Sequence, residues 1–331
     1  MAHDLNFRNG KPSIAYTGEK PWHGLGTELK EAFTSEEAIK VANLDFTVEK
    51  TPVYAKVNGV EQLISDNFAN IRKDTGENLG IVGNRYQIIQ NADAFQFFDN
   101  IVADKLAMYH VVGALGKGER VWILAKLPDD LLICGDDKVE KYLLLTNSHN
   151  GTSSLQMYFT PIRVVCNNTL IASTQHKQNC ISIRHCGNIQ SKVEQARTAL
   201  GIAIDFYKEF DVECQALGHF QMNTQQLHEY YNSILKIDSA EELLGDITTQ
   251  KENTKNRLLN LFEKGEGHDN PNMKHSAWAA YNAVTQYIDH DKTVKNLDVD
   301  KTNKLKNIWF GSGANIKAKA YTEIKKVVLA K

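Results

Sequence analysis

Hydrophobic and polar positions alternate along much of the first half of the chain and recur every three or four residues along the second. Period-2 alternation is the mark of a strand with one buried face. It runs from Asp45 to Val57 through Phe46, Val48, Val53, Ala55 and Val57. Asn58-Gly59 turns the chain, Gln62 to Arg72 returns it, and Leu79 to Val82 adds a third strand. Met108 to Leu127 reads as a hairpin about Gly113–Glu119, and Lys141 to Thr160 as another about Asn147–Ser153, with Asn150-Gly151 at its corner. Two short helices interrupt the strands. One starts at Ser35; the other is capped by Asn91, with Ala94, Phe95, Phe98, Ile101 and Val102 as its stripe. After Pro161, the residues Ile162, Val165, Cys166, Thr169 and Leu170 fall at helical spacing. They predict a helix over 162–174 with Arg163, Asn167 and Asn168 on its polar side.

From Asn188 the period changes to 3.6 and stays there. Helices are expected over 192–210, 224–235, from Ser239, over 253–263, over 275–290 with Trp278, Tyr281, Val284 and Ile288 buried, and over 302–309 and 315–328. The fold class that follows is α+β: an N-terminal antiparallel hairpin and sheet domain with packed helices over 1–187, then an all-helical domain over 188–331. The polar loop Gly265–Pro271 is the expected flexible joint.

Bulk composition narrows the class without naming a function. The 331 residues suit two domains, and 42% apolar with 24% charged is ordinary for a globular protein. No apolar run approaches the roughly 20 residues that cross a bilayer, and the polar N-terminus lacks the apolar core of a secretion signal. Five scattered cysteines do not form a disulfide framework. A cytoplasmic protein without membrane contact is expected. Charge adds more by its distribution than by its net value of −2. Residues 141–201 hold six Lys/Arg against one acid, 203–269 six against thirteen, and 292–331 ten lysines against three acids. Two basic blocks therefore flank an acidic one, which permits a local anionic partner.

Candidate chemistry gathers around the second hairpin. Arg163, Asn167, Asn168, Lys177, Arg184 and His185, with Arg85, Lys117 and Arg120 from neighbouring turns, are the residues expected to contact phosphates and bases. Arg163 stands first among them, one turn into the expected helix, where amides favour anions. His149 and Asn147 at the hairpin tip mark a possible pocket. His176, Cys180, His185 and Cys186 fit no common metal-ligand spacing, so no metal is expected, nor any cofactor. Gly113–Gly118 lacks the Gly-Lys-Ser/Thr ending of a phosphate loop and reads as a hairpin corner. Gly311-Ser312-Gly313 reads as a turn between helices, with an anion site at the following helix as the alternative.

Four stretches, PWHGLGT (21–27), GIVGNRYQIIQNADAFQFFDNIV (80–102), LLLTNSHNGTSSLQMYFTPIRVVCNNTL (143–170) and WAAYNAVTQYIDH (278–290), closely resemble the phage/plasmid-like protein family. This is a domain-of-unknown-function family of phages, plasmids and integrated elements. The resemblance implies a mobile element in a bacterial host and supplies no reaction or catalytic residue. A second likeness lies in the hairpins of 106–160 followed by the expected helix of 162–174. They are similar to the β-β-β-α core of Rad52-like single-strand annealing proteins, which implies a ring- or filament-forming oligomer holding DNA in a basic groove. Three functions stay open. One is single-stranded DNA binding and annealing in recombination or replication. A second is a host-interaction or counter-defence protein that binds a bacterial partner. The third is an enzyme of unknown reaction with its site at His149, Arg163, Asn167 and Asn168.

Overall fold

The structure, a computed structural model, describes residues 5–18, 25–29, 34–103, 106–153, 155–163, 168–169, 180–182, 189–292 and 304–329. Strands β1 (Phe7–Arg8), β2 (Lys11–Pro12), β3 (Ile14–Tyr16) and β4 (Thr27–Glu28) come first. Helix α1 (Ser35–Val41) follows, then β5 (Val48–Val57), β6 (Val60–Arg72), β7 (Asn78–Gly83) and α2 (Asn91–Ala103). Next are β8 (Met108–Leu115), β9 (Arg120–Lys126), β10 (Leu131–Ile133), β11 (Asp137–Glu140), β12 (Tyr142–Ser148) and β13 (Gln156–Phe159). The short strands β14 (Ile162–Arg163), β15 (Asn168–Thr169) and β16 (Cys180–Ser182) close the strand-rich part. The helices α3 (Ile189–His219), α4 (Thr224–Leu235), α5 (Ser239–Leu244), α6 (Thr249–Lys264), α7 (Ala277–Gln286), α8 (Lys304–Phe310) and α9 (Ser312–Leu329) complete the chain, with a π-helical turn, Tyr287–Asp291, after α7. The class is α+β.

The largest sheet has seven strands in the order β16-β13-β12-β9-β8-β3-β4, antiparallel throughout except for the parallel pair of β3 and β4. Within it β8–β9 and β12–β13 are hairpins, and the chain passes through the β10–β11 hairpin of another sheet between β9 and β12. Both expected hairpins are there, with tighter corners than the turn residues indicate: Gly113 lies within β8, and Asn147 and Ser148 within β12. The Asn58-Gly59 turn has both residues at positive φ (50° and 84°), the two-residue geometry that matches strand twist. It joins β5 and β6, and β7 completes a three-stranded sheet. Helix α1 is capped one residue earlier than expected. Thr34 Oγ1 accepts from Glu37 N, and Glu37 Oε2 accepts from Thr34 N at 2.9 Å. Ser35 is thereby free to donate to Asp99 at 2.6 Å.

The helix expected over 162–174 is not formed at its start. Ile162–Arg163 pairs with β11 (Glu140↔Ile162, Val139↔Arg163) and with β15 (Ile162↔Thr169, Arg163↔Asn168), making the four-stranded sheet β10-β11-β14-β15. The local chemistry explains the error. Pro161 biases Thr160 toward an extended backbone, and Ile162 is a β-branched residue that loses rotamer freedom in a helix and fits a pleat. The helical spacing of apolar residues was real but lost to the edge that β11 offers.

Every helix expected after Asn188 is present, and α3 runs 31 residues. One buried cluster continues from Val121, Leu143 and Phe159 of the sheet through Tyr207 and Phe210 of α3 to Trp278 and Tyr281 of α7. Polar ties follow the same route. Tyr207 Oη accepts from Tyr142 N at 2.9 Å and donates to Tyr142 O at 2.7 Å, and Trp278 Nε1 donates to Asp137 Oδ2 at 2.7 Å. The loop 265–271, the expected flexible joint, makes contacts of its own. His268 is buried, Glu266 N donates to Gln286 Oε1, and Asn270 Nδ2 donates to Asp136 Oδ1 at 2.7 Å. At the start of α9, Asn307 Oδ1 accepts from Gly313 N at 3.0 Å and from Ser312 Oγ at 2.9 Å, so a side-chain oxygen of the chain itself takes the place an anion would occupy.

The three-stranded sheet lies over the end of the β12–β13 hairpin. A Cβ at Gly80 would stand 2.6 Å from Asn150 Cα, so the two backbones meet only because Gly80 has no side chain. Gly80→Ala is therefore expected to cost about 1–3 kcal/mol by urea unfolding. Gly83→Ala, whose Cβ meets nothing nearer than Asp66 O at 3.9 Å, is expected to stay within about 0.5 kcal/mol of the parent. Equal effects at the two positions would refute the close approach.

Candidate nucleic-acid interface

Alternation along β9 and β12 divides the seven-stranded sheet into two faces. Val121, Ile123, Leu143 and Leu145 turn into the main core. Arg120, Trp122 and Leu124 of β9 turn the other way, with Leu144, Thr146 and Ser148 opposite them on β12 (Arg120↔Ser148, Trp122↔Thr146, Leu124↔Leu144). The leucine end of this outer face carries a second, smaller core. Ile308 and Trp309 of α8 seal it, with Phe310 at its margin. Trp309 meets Trp122 edge-on, ring centres 4.8 Å apart.

Arg120 stands at the polar end of this face. Its guanidinium lies 4.5 Å above the Phe310 ring, and Nη2 is 3.5 Å from both Thr152 Oγ1 and Ser153 Oγ, the limit of a hydrogen bond. Burial lowers its pKa, while Tyr158 and Glu119 favour the charged form. An arginine does not lose its proton in a protein, so burial leaves a half-desolvated cation. Among the described residues no carboxylate forms an ion pair with it. Two further groups on the same face lack partners among the described residues: Trp122 Nε1 and Thr146 Oγ1, both buried. Two strand positions separate Arg120 from Trp122, about 7 Å. Of the three, Arg120 alone is partly exposed, and its planar fork carries only donors; Trp122 and Thr146 are enclosed. What suits it is an oxygen-rich anion.

The hairpin tip is built differently. His149 and Asn147, the residues of the possible pocket, are buried in an interior seam. His149 N donates to Glu119 O at 2.7 Å, and His149 O accepts from Asn70 Nδ2 at 2.6 Å. Asn91 Nδ2 donates to Leu44 O, which fixes Asn91 Oδ1 as an acceptor; His149 Nε2 donates to it at 2.8 Å. Nδ1 is then the bare nitrogen, buried without a partner among the described residues. Burial first, and the charge of Arg72 second, lower the His149 pKa to about 4. This imidazole is neutral at pH 7 and held by its neighbours, which suits positioning rather than proton transfer. Asn147 Nδ2 is used on Ile89 O at 3.0 Å.

The remaining expected contacts divide three ways. Arg85 and Lys117 are exposed on turns. Arg163 and Asn168 pair with one another on β14 and β15, in place of the expected helix start. Asn167, Lys177, Arg184 and His185 lie outside the described residues. Among the described residues no group of His, Cys, Asp and Glu is placed to hold a metal ion. Thr146, Trp309 and Phe310 were missed from sequence. Period-2 spacing does put Arg120 and Trp122 on one face, but nothing local pairs them with an aromatic pair near the C-terminus.

The family model described as Domain of unknown function (DUF932) matches residues 78–309. The chain belongs to this family. The matched span takes in β7 to β16 and most of the helical half, hence Arg120, Trp122, Thr146 and Trp309, and ends one residue short of Phe310. Neither a curated protein nor a solved structure matches the DUF932 chain. No helix among its described residues is long and apolar enough to cross a membrane.

The seam sets a pH dependence. With the folded pKa at about 4 and an unfolded value near 6.5, the unfolded chain binds a proton between these values that the folded chain refuses. Stability from His149 is complete above pH 6.5 and is lost as pH falls toward 4, by about 3 kcal/mol in all. Urea unfolding of the parent and of His149→Gln between pH 7 and 4.5 should show the gap between them shrinking as pH falls. A gap that stays constant with pH would refute the assignment.

Proposed function

We propose that this protein binds single-stranded DNA across the outer face of its seven-stranded sheet, in the recombination or replication of a mobile element in a bacterial cytoplasm. The observation that carries the reading is Arg120: half-buried, stacked on Phe310, and without a carboxylate ion pair among the described residues. Sequence-tolerant binding of a single strand calls for a cationic track with aromatic rings along it. The second of the sequence's two basic blocks contributes α8, whose Trp309 and Phe310 lie against this sheet; the first contributes β12, β13 and β16, which themselves hold no Lys or Arg. The lysines of α9 are engaged elsewhere: Lys317 with Asp289, Lys325 with Glu213, Lys326 with Glu323 and Lys319 with Ser233 O. Arg120 therefore takes the leading place expected for Arg163, acting through a bidentate phosphate contact.

Fluorescence anisotropy with labelled oligothymidylate across a salt series tests the reading. Arg120→Ala is expected to keep the parent's melting temperature within a few degrees and to lower affinity about tenfold. Its slope of log K against log salt should flatten by about 0.7, the loss of one phosphate on a single strand. Arg120→Lys keeps the charge and loses the fork, so it should fall between the two. Unchanged affinity and slope in a folded Arg120→Ala would remove the sheet face from the site.

A further inference from the structure

We infer that Asn150-Gly151 is a self-modification site: its deamidation places a carboxylate beside Arg120 and closes the anion site. The closure rests on the nucleic-acid reading; the deamidation does not. The sequence holds three Asn-Gly pairs, at 9–10, 58–59 and 150–151. In such a pair no side chain shields the glycine nitrogen. Once deprotonated by solvent base, that nitrogen attacks the asparagine Cγ. The new N–C bond closes a five-membered succinimide ring, the Cγ–Nδ2 bond breaks, and Nδ2 takes up a proton and leaves as ammonia. Water then opens the ring to aspartate or isoaspartate. Solvent is the only co-reactant.

The three pairs differ in what surrounds them. Asn9-Gly10 and Asn58-Gly59 are two-residue turns with positive φ at both positions, and the turns account for their residue types. Asn150 is half-buried beside an exposed Gly151, and its Oδ1 accepts from Ser148 Oγ at 2.6 Å, from Thr152 Oγ1 at 2.6 Å and from Thr152 N at 3.0 Å. Negative charge gathers on this same oxygen as Gly151 N attacks, so the three donors form an oxyanion hole for the reaction. Thr152 Oγ1 lies 3.5 Å from Arg120 Nη2, which lets the guanidinium polarise that donor. Gly80 selects the product. Its backbone meets Asn150 so closely that a Cβ there would stand 2.6 Å from Asn150 Cα, which disfavours the extra main-chain methylene of isoaspartate. The aspartate formed stands one hydroxyl away from a guanidinium that has no carboxylate ion pair among the described residues. It occupies the fork and repels a phosphate.

Peptide mass spectrometry of the full chain, incubated folded at mildly alkaline pH, tests the modification. Conversion to the acid is expected to be faster at Asn150 than at Asn9 or Asn58. Ser148→Ala removes one donor and should slow conversion at least about tenfold at Asn150 alone. Thermal unfolding tests the link to Arg120 without any nucleic acid: Asn150→Asp should raise Tm more in the parent than in an Arg120→Ala background. Labelled oligothymidylate should bind Asn150→Asp about tenfold more weakly than the parent, and Asn58→Asp, at the far tip of its ribbon, with the parent's affinity. Conversion at Asn150 no faster than at the other two pairs overturns the inference. So does a Ser148→Ala chain that converts as fast as the parent, or a Tm change from Asn150→Asp that is the same in both backgrounds. Undiminished affinity in Asn150→Asp overturns the closure. A parent that binds no oligothymidylate refutes the nucleic-acid reading instead, and the mass and Tm measurements still decide the modification and its pairing with Arg120.

Discussion

A guanidinium carried into the interior must find acceptors for its N–H groups there, because an unpaired buried charge costs far more than its packing contributes. Arg72 is 1% exposed, and meeting its needs ties the N-terminal half together. Nε and Nη2 form a fork onto Asp74 at 2.7 and 3.1 Å. Nη1 donates to Asn6 Oδ1 at 3.0 Å and to Lys117 O at 2.8 Å, and Cζ lies 3.9 Å from the centre of the Phe46 ring. The end of β6, the N-terminal segment and the β8–β9 corner are thus fixed to one group. Gly118 has to be glycine at that corner: its φ is +98°, and a Cβ would stand 2.8 Å from Nη1 and 2.9 Å from Phe46 Cζ. The same charge helps to keep His149 neutral, so the seam that holds the β12–β13 hairpin is electrostatically an extension of this contact.

The sheet formed around that contact is joined to the helices by a different device. Tyr207 presents its hydroxyl to both backbone groups of Tyr142, at the start of β12, and Trp278 reaches Asp137 on β11. Buried hydroxyl and indole groups need such partners, and here the partners lie on strands while the rings lie among helices. Each pair therefore costs energy if the layers slide. This matters for the outer face, because α8 can hold Trp309 and Phe310 against Trp122 and Arg120 only while the helical half keeps its place on the sheet.

How far the sequence was legible follows the range of the forces involved. The Asn58-Gly59 ribbon, both later hairpins and every helix after 188 rest on local period and turn chemistry, and they were legible. The segment after Pro161 was not. Its apolar spacing fits a helix, its β-branched residues fit a strand, and the decision lay with β11, more than twenty residues upstream. The seam failed for a related reason. Asn147 and His149 are turn-formers by composition, but Asn70, Asn91 and Ile89 come from distant parts of the chain to bury them. Gly265–Pro271 shows the same in a loop: polar by composition, and fastened by Asp136 and Gln286.

The comparison between the chain's two desolvated arginines bears most directly on function. Arg72 uses four of its five N–H groups at 2.7–3.1 Å, and its carboxylate partner, Asp74, is two residues away. A group so fully engaged has nothing left for a ligand. Arg120 is also desolvated, yet its contacts with Thr152 and Ser153 sit at 3.5 Å, and a ring rather than an acid lies beneath it. Folding alone gives no reason to bury part of a cation there. A Lys or Gln would cover Phe310 at smaller desolvation cost, and an acid at 152 or 153 would have completed an ion pair. On the nucleic-acid reading proposed for this face, an arriving phosphate would offset that desolvation: the flat fork is already aimed by its ring, and among the described residues no carboxylate would have to be displaced first. On that reading, such preorganisation would separate Arg120 from the structural Arg72, with its charge beside the rings of Trp122, Trp309 and Phe310.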